Sequence, residues 1–312
     1  LDIRQWSKMA GKAIVSMLFA TTAVVTVATV LFYLFREEGV QASSQLAAMS
    51  VGLYTGGTPN LAAIKAALEI PHSRYIVFHS LDTLIGGAYL LLMLTVGIPL
   101  FRWFLGRPSP QPGVADGPAD SFDEENYALL FRRENLPQLL LIGVLAALVL
   151  LVSLGLSELV RVLFPTTSTS ALTIVFLTTL GMALSFMERV RALVLSYRTG
   201  MYLIYVFCLA VSSMVSLDEL LDLDATVAIF LLVVVFAGLA LHCLLCRLAG
   251  VDGDTFMVTS VAAVGSPPFV PLMARALNNP AAILPGMTTG VIGYALGSYL
   301  GISLGLYLHS LQ

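Results

Sequence analysis

The fold turns on Tyr54-Thr55-Gly56-Gly57-Thr58-Pro59-Asn60-Leu61, the centre of an otherwise apolar stretch running from 43 to 70. Either side of this segment has helical composition. Proline removes a backbone donor and clashes with the preceding turn, and glycine is a poor helix former, so the helix breaks in its middle. A second apolar stretch, 253–279, is interrupted in the same way by Gly265-Ser266-Pro267-Pro268. Offset by 208 residues, Gly57-Thr58-Pro59 falls on Gly265-Ser266-Pro267, Met49 on Met257 and Leu61 on Phe269. Each broken element follows one apolar helix and precedes a long one. The expectation is an internal repeat, with a break at the same place in both copies.

Outward from the breaks, the chain is membrane-like throughout. Of 312 residues, 58% are hydrophobic and 11% charged, and the mean hydropathy is +0.89. Soluble domains carry about 25% charged residues, and a soluble fold of this length could not hide so much apolar surface. Continuous crossings are expected at 12–35, 76–105, 136–161, 169–188, 198–216, 225–248 and 281–310, since a crossing needs about 20 apolar residues. The fold class is therefore all-α and polytopic. The expected partners are the lipid bilayer and a small-molecule or ion substrate. A net charge of −3, with no basic patch interleaved with aromatics, argues against nucleic acid.

The domains expected are the later part of a first repeat (1–105), a solvated linker (106–134) rich in Pro, Gly and acidic residues, and a second repeat (135–312). The second copy has four crossings before its break and the first has one. About three helices are therefore expected before Leu1.

Basic residues suggest the topology. If both broken elements cross, Lys and Arg divide nine against seven. If both are re-entrant hairpins, twelve gather on one side, against Arg36, Lys65, Arg74 and Arg161 on the other. The positive-inside rule favours re-entrant hairpins with the rich side cytoplasmic. Five crossings then separate the hairpins, so they enter from opposite faces and the repeats are inverted. A multi-pass protein of a bacterial inner membrane follows.

A break exposes helix ends at membrane depth. N-terminal ends favour an anion, and C-terminal carbonyls favour Na⁺ or a proton donor. The candidate substrate- and ion-binding residues are Gly56, Gly57, Thr58, Pro59, Asn60, Gly265, Ser266, Pro267 and Pro268, together with Asp82. Asp82 lies on the helix after the first break, with His79 almost one turn earlier. An intramembrane carboxylate is a functional candidate by default; the alternative is a hydrated interfacial residue. Lys65 and Arg275 either counter a substrate's charge or snorkel to the interface. Cys243 and Cys246 have C-x-x-C spacing but no second ligand pair, and read with His242 as packed residues. Gly293, Gly297, Gly301 and Gly305 share one helix face, a close-packing surface for another helix, with a self-dimer face the alternative. No metalloprotease, Walker, nucleophile-elbow or dinucleotide motif is present, so no enzyme and no cofactor are expected beyond Na⁺ as a coupling ion.

The segment Tyr54 to Ala63, with Val264-Gly265-Ser266-Pro267, Leu284-Pro285-Gly286 and Gly290-Val291-Ile292-Gly293-Tyr294, resembles the domain of unknown function 819 family of bacterial and plastid membrane proteins. Pro268 and Pro271 depart from the small residues usual there. That family is similar to the cation/proton-antiporter and anion-transporter superfamily. The layout is also similar to that of sodium-coupled glutamate and 2-hydroxycarboxylate carriers. The resemblance implies secondary active transport of a small, anionic solute coupled to Na⁺ or H⁺, often by a homodimer. The competing reading is a non-transporting membrane scaffold or envelope-assembly partner that keeps the same shell.

Overall fold

The computed structural model describes residues 3–37, 43–107, 127–164, 169–193, 195–213 and 224–311. Among these residues every regular element is helical. They are α1 (Ile3–Glu37), α2 (Ser43–Gly56), α3 (Thr58–Ala67), α4 (His72–Leu94), α5 (Gly97–Leu105), α6 (Leu136–Leu163), α7 (Thr169–Ser185), α8 (Glu188–Arg191), α9 (Leu195–Ser212), α10 (Ala225–Leu248), α11 (Gly253–Val264), α12 (Val270–Ala276) and α13 (Ile283–His309). Five spans are long and apolar enough to cross a membrane: Gly11–Phe35, His72–Leu94, Arg133–Leu163, Ala225–Leu248 and Pro280–His309. The protein is an all-α polytopic membrane protein.

Several expected boundaries move. The crossing placed at 76–105 is two helices, α4 and α5, because the backbone leaves helical geometry at Thr95 (φ −113°, ψ −94°). The segment placed at 169–188 ends as a helix at Ser185, and that placed at 198–216 is helical over Leu195–Ser212. Most of the linker, 108–126, lies outside the described residues, as do Asp218 to Leu223 and the Cys208 side chain. Local chemistry sets the other ends. The Asp224 carboxylate accepts from Thr226 N and Val227 N to start α10, and Asp252 accepts from Thr255 N to start α11. Each satisfies helix N–H groups that have no partner within the helix.

The chain forms two compact units. One contains 117–216 with 66–69, and its longest helix, α6, carries a spanning window only 6% buried, with mean hydropathy 3.0. Most of the apolar surface of this helix is left uncovered by the rest of the chain. It is tied to α7 by the hydroxyls of Ser157 and Thr173, 2.7 Å apart. The other unit gathers 1–65, 70–116 and 217–312, and it holds both breaks.

In that unit the breaks make helical hairpins. Gly57 (φ 92°) separates α2 from α3. Along a straight helix Gly52 and Ile64 would lie about 18 Å apart, yet a Cβ built on Gly52 would overlap the Ile64 side chain. The second break is at Gly265 and at Ser266 (φ 82°), followed by a 3₁₀ turn, Pro267–Phe269. Here Asn279 Nδ2 donates to Asp254 Oδ2 at 3.0 Å, across 25 positions that a straight helix would stretch over about 37 Å. The arms of 14, 10, 12 and 7 residues are each too short for a bilayer core of about 30 Å.

The positive-φ residues of the two broken segments pair at an offset of 209. Ser266 follows Gly57 by 209 positions, and Asn278 (φ 53°) follows Glu69 (φ 51°) by the same 209. This offset also places Pro268 on Pro59, Pro280 on Pro71 and Asp254 on Gln45. The offset of 208 matches residue types, Gly57 with Gly265, while the positive-φ backbone that turns the chain falls on Ser266.

Candidate functional site

The helix α13 records where each hairpin lies, because its small face touches both. Gly286 lies against Val258 and Val270, one from each arm of the second hairpin. One turn on, Gly290 lies against Pro267 at that hairpin's tip. Gly293 then meets the Thr55 carbonyl oxygen at the tip of the first hairpin. Gly297 meets Asn60 and the Gly52 carbonyl oxygen, and Gly301 meets Ile64 and the Ala48 carbonyl oxygen, progressively farther from that tip. The two hairpins therefore approach from opposite ends of α13. Gly293, Gly297, Gly301 and Gly305 are buried inside this chain, which removes the alternative that they form a self-dimer face.

The tips touch. A Cβ on Gly57 would overlap the Ser266 hydroxyl and stand 3.6 Å from Tyr294 Cε1. Gly56 and Gly57 are buried, while Thr58, Pro59, Gly265, Ser266 and Pro268 are partly exposed and Pro267 is buried. All nine residues expected at the breaks thus lie on two hairpins in contact. Two helix C-termini, those of α2 and α11, end here beside the N-terminus of α3, so opposite partial charges meet within the same few residues. The hydroxyls of Thr58 and Ser266 belong to the two tips.

Asn60 is 3% exposed and both ends of its amide are engaged. Nδ2 donates to the Gly293 carbonyl at 3.2 Å, and Oδ1 accepts from Ser298 Oγ at 2.8 Å. It braces α3 against α13. Ser298 is a partner that sequence reasoning missed; its only signal was its place one residue after Gly297.

Asp82, on α4, is partly buried and lies against the hydroxyl of Tyr54, three residues before Gly57. Tyr54 is itself fully buried. Ser50 Oγ and both ring nitrogens of His79 are buried without a hydrogen-bond partner.

The outer ends of the hairpins are each clamped by an arginine, on Gln45 and on Asp254, which stand 209 positions apart. Arg74 Nη1 donates to Gln45 Oε1 across the first. Across the second, Arg102 donates to Asp254 through Nε at 2.7 Å and Nη2 at 3.0 Å, and Nη2 also donates to the Leu277 carbonyl at 2.7 Å. The hydrogen bond to Asp254 raises the Arg102 pKa above its ordinary value, with burial opposing. Lys65 Nζ lies 5.3 Å from the centre of the Tyr75 ring, and Arg275 is exposed. His242 is buried, with Nε2 3.0 Å from Ser16 Oγ and its ring 4.6 Å from that of Phe256. Cys243 and Cys246 are buried free thiols. Among the described residues no three His, Cys, Asp or Glu side chains group as metal ligands.

A family model described as Protein of unknown function (DUF819) matches residues 1–311. The chain belongs to that family. Its membership spans both hairpins, α13 and both compact units. The chain is also similar to a protein of Bacillus subtilis (strain 168) described as an uncharacterized membrane protein, YjcL, at 23% identity over 322 residues, covering 99% of this chain and 79% of the relative. No solved structure matches it.

Proposed function

We propose that this protein is a secondary active transporter of a small, anionic solute, coupled to Na⁺ or H⁺. The observation that carries the proposal is the contact of Gly57 with Ser266, made by hairpins approaching from opposite ends of one spanning helix. If α13 crosses the bilayer, the hairpins enter from opposite faces, and the repeat offset of 209 relates two inverted copies. Irregular backbone at membrane depth persists only where protein or a wet cavity satisfies it. Inverted repeats with such breaks at the midplane are a known construction for a solute site.

In this reading the site is the tip region: Gly56, Gly57, Thr58 and Pro59 from one side, Gly265, Ser266, Pro267 and Pro268 from the other. Asn60 holds the first tip in place against α13. Asp82 supplies the coupling charge. Alternating access exposes the tips to one face and then the other, in a bacterial inner membrane.

The test is uptake into proteoliposomes. Purified protein is first screened by thermal shift against Na⁺, Li⁺ and small carboxylates, since a ligand that binds the native state raises its apparent stability. Flux of the stabilising solute is then measured for wild type, Thr58→Val and Ser266→Ala. Loss of flux in folded variants supports the site, and undiminished flux in both removes it. The second reading, a non-transporting scaffold, draws on Asn60, whose polar groups are wholly engaged within the chain. It predicts no stabilising solute at all.

A further inference from the structure

The helices α2 and α4 run in the same direction, since α3 returns the chain between them. Two contacts set their register. Gln45 pairs with Arg74, 29 positions later, and Tyr54 lies beside Asp82 at almost the same offset. The intermediate level then matches Ser50 with His79. On α2, Ser50 and Tyr54 are one turn apart on one face; on α4, His79 and Asp82 are likewise one turn apart. The result is a ladder of three polar rungs from the outer end of the first hairpin to a point beside its tip.

The outermost rung is closed by a hydrogen bond, and in the innermost the Tyr54 hydroxyl faces the Asp82 carboxylate. In the middle one, Ser50 Oγ and both His79 nitrogens are unpartnered, in side chains 0 and 4% exposed. Leaving one such group unsatisfied costs about 1–3 kcal/mol. Three such atoms on the two helices call for something that exchanges among them. Asp82 has no ion-pair partner among the described residues. The group that faces it is Tyr54 from α2; His79 stands one turn earlier on its own helix. Charged and titratable side chains on the other elements packed against α4 are engaged elsewhere or exposed: Arg102 of α5 with Asp254 of α11, His242 of α10 with Ser16, Arg247 of α10 with the Phe104 carbonyl, and Arg275 of α12 exposed.

We propose that Ser50, His79 and Tyr54 form a proton path that ends on the Asp82 carboxylate, so that the coupling ion is H⁺ and not Na⁺. The proposal rests on the transporter reading above. His79 accepts a proton from water at one ring nitrogen and releases one from the other. The Tyr54 hydroxyl accepts that proton while donating its own, and Asp82 becomes a neutral carboxyl. Imidazole, hydroxyl and carboxyl groups in series are the materials of intramembrane proton relays. A hard cation instead needs several oxygens around one point, whereas Ser50 and Tyr54 are spread about 6 Å along α2, with an imidazole at the level of Ser50.

The experiment is time-resolved infrared spectroscopy of the purified protein after a pH jump, reading the protonated-carboxyl band, in H₂O and D₂O, without solute. The expected result is a band that shifts in D₂O, is absent from Asp82→Asn and is unchanged when NaCl replaces choline chloride. In His79→Gln and Tyr54→Phe its final amplitude should persist while its rise slows about tenfold or more, as loss of a positioned proton-transfer group does. The retained amplitude reports a folded site. An absent Asp82 band, a band removed by Na⁺, or an unchanged rise in both relay variants overturns the proposal. Because no solute is present, this outcome is separate from flux loss in the tip variants.

Discussion

Gly57 and Ser266, 209 positions apart, share a conformation as well as a contact: both have φ above +80° (92° and 82°), and a Cβ on the first would overlap the hydroxyl of the second. Glycine adopts that conformation freely, while serine is strained in it. Two opposite stability changes are expected. Gly57→Ala should lose about 1–3 kcal/mol from backbone strain and overlap together. Ser266→Gly should gain up to about 1 kcal/mol while removing a hydroxyl from the site. Thermal or denaturant midpoints in detergent check the signs, and two changes of the same sign would contradict the geometry.

Arg102 reaches Asp254, whose side chain is 2% exposed, and the Leu277 carbonyl from a position itself 24% exposed. Removing the guanidinium leaves a buried carboxylate with Asn279 as its remaining partner. Arg102→Ala is expected to cost about 2–4 kcal/mol, less than a fully buried pair because water reaches the arginine. Arg102→Lys should recover only part of this, since an ammonium cannot make the two parallel bonds. Unfolding midpoints of the pair measure it.

Asn60 holds α13 through a carbonyl and a hydroxyl. Asn60→Leu is expected to destabilise by about 1–3 kcal/mol, because Gly293 O and Ser298 Oγ lose a partner in a buried setting. In a double-mutant cycle with Ser298→Ala, a coupling near zero would show that the 2.8 Å bond does not operate in the membrane.

The small face of α13 separates packing glycines from idle ones. A methyl at Gly297 would overlap the Asn60 amide, whereas one at Gly143 in α6 has nothing within 4 Å. Gly297→Ala should cost about 1–3 kcal/mol by overpacking. Gly143→Ala should be neutral or gain up to about 1 kcal/mol from helix propensity. Equal effects would mean that α13 does not press on α2 and α3.

Opposite entry of the hairpins predicts opposite labelling. Ser73 and Asn278 lie at the outer ends of the two hairpins and are exposed. In a background without the three native cysteines, Ser73→Cys should react with an impermeant thiol reagent from outside intact cells. Asn278→Cys should react only after the cells are opened, following the side richer in Lys and Arg. Labelling of both from one side would remove the inverted arrangement.

Most of the helical segments, the two breaks and the membrane character of the chain were legible in the residues, while the split of 76–105 at Thr95 was not. Those properties depend on composition and local backbone chemistry: runs of apolar side chains, and Gly and Pro at 56–59 and 265–268. Whether the breaks meet, and in which register, depends on contacts between residues more than 200 positions apart. No local pattern distinguishes Asn60 as a ligand from Asn60 as a brace to Gly293 and Ser298. Likewise, the spacing of His79 and Asp82 placed them one turn apart on α4, but that Tyr54 meets Asp82 required α3 to turn the chain back. The two offsets, 208 and 209, differ for the same reason: residue identity matches Gly57 with Gly265, but the turn is made by whichever residue packing forces to positive φ, and in the second hairpin that is Ser266.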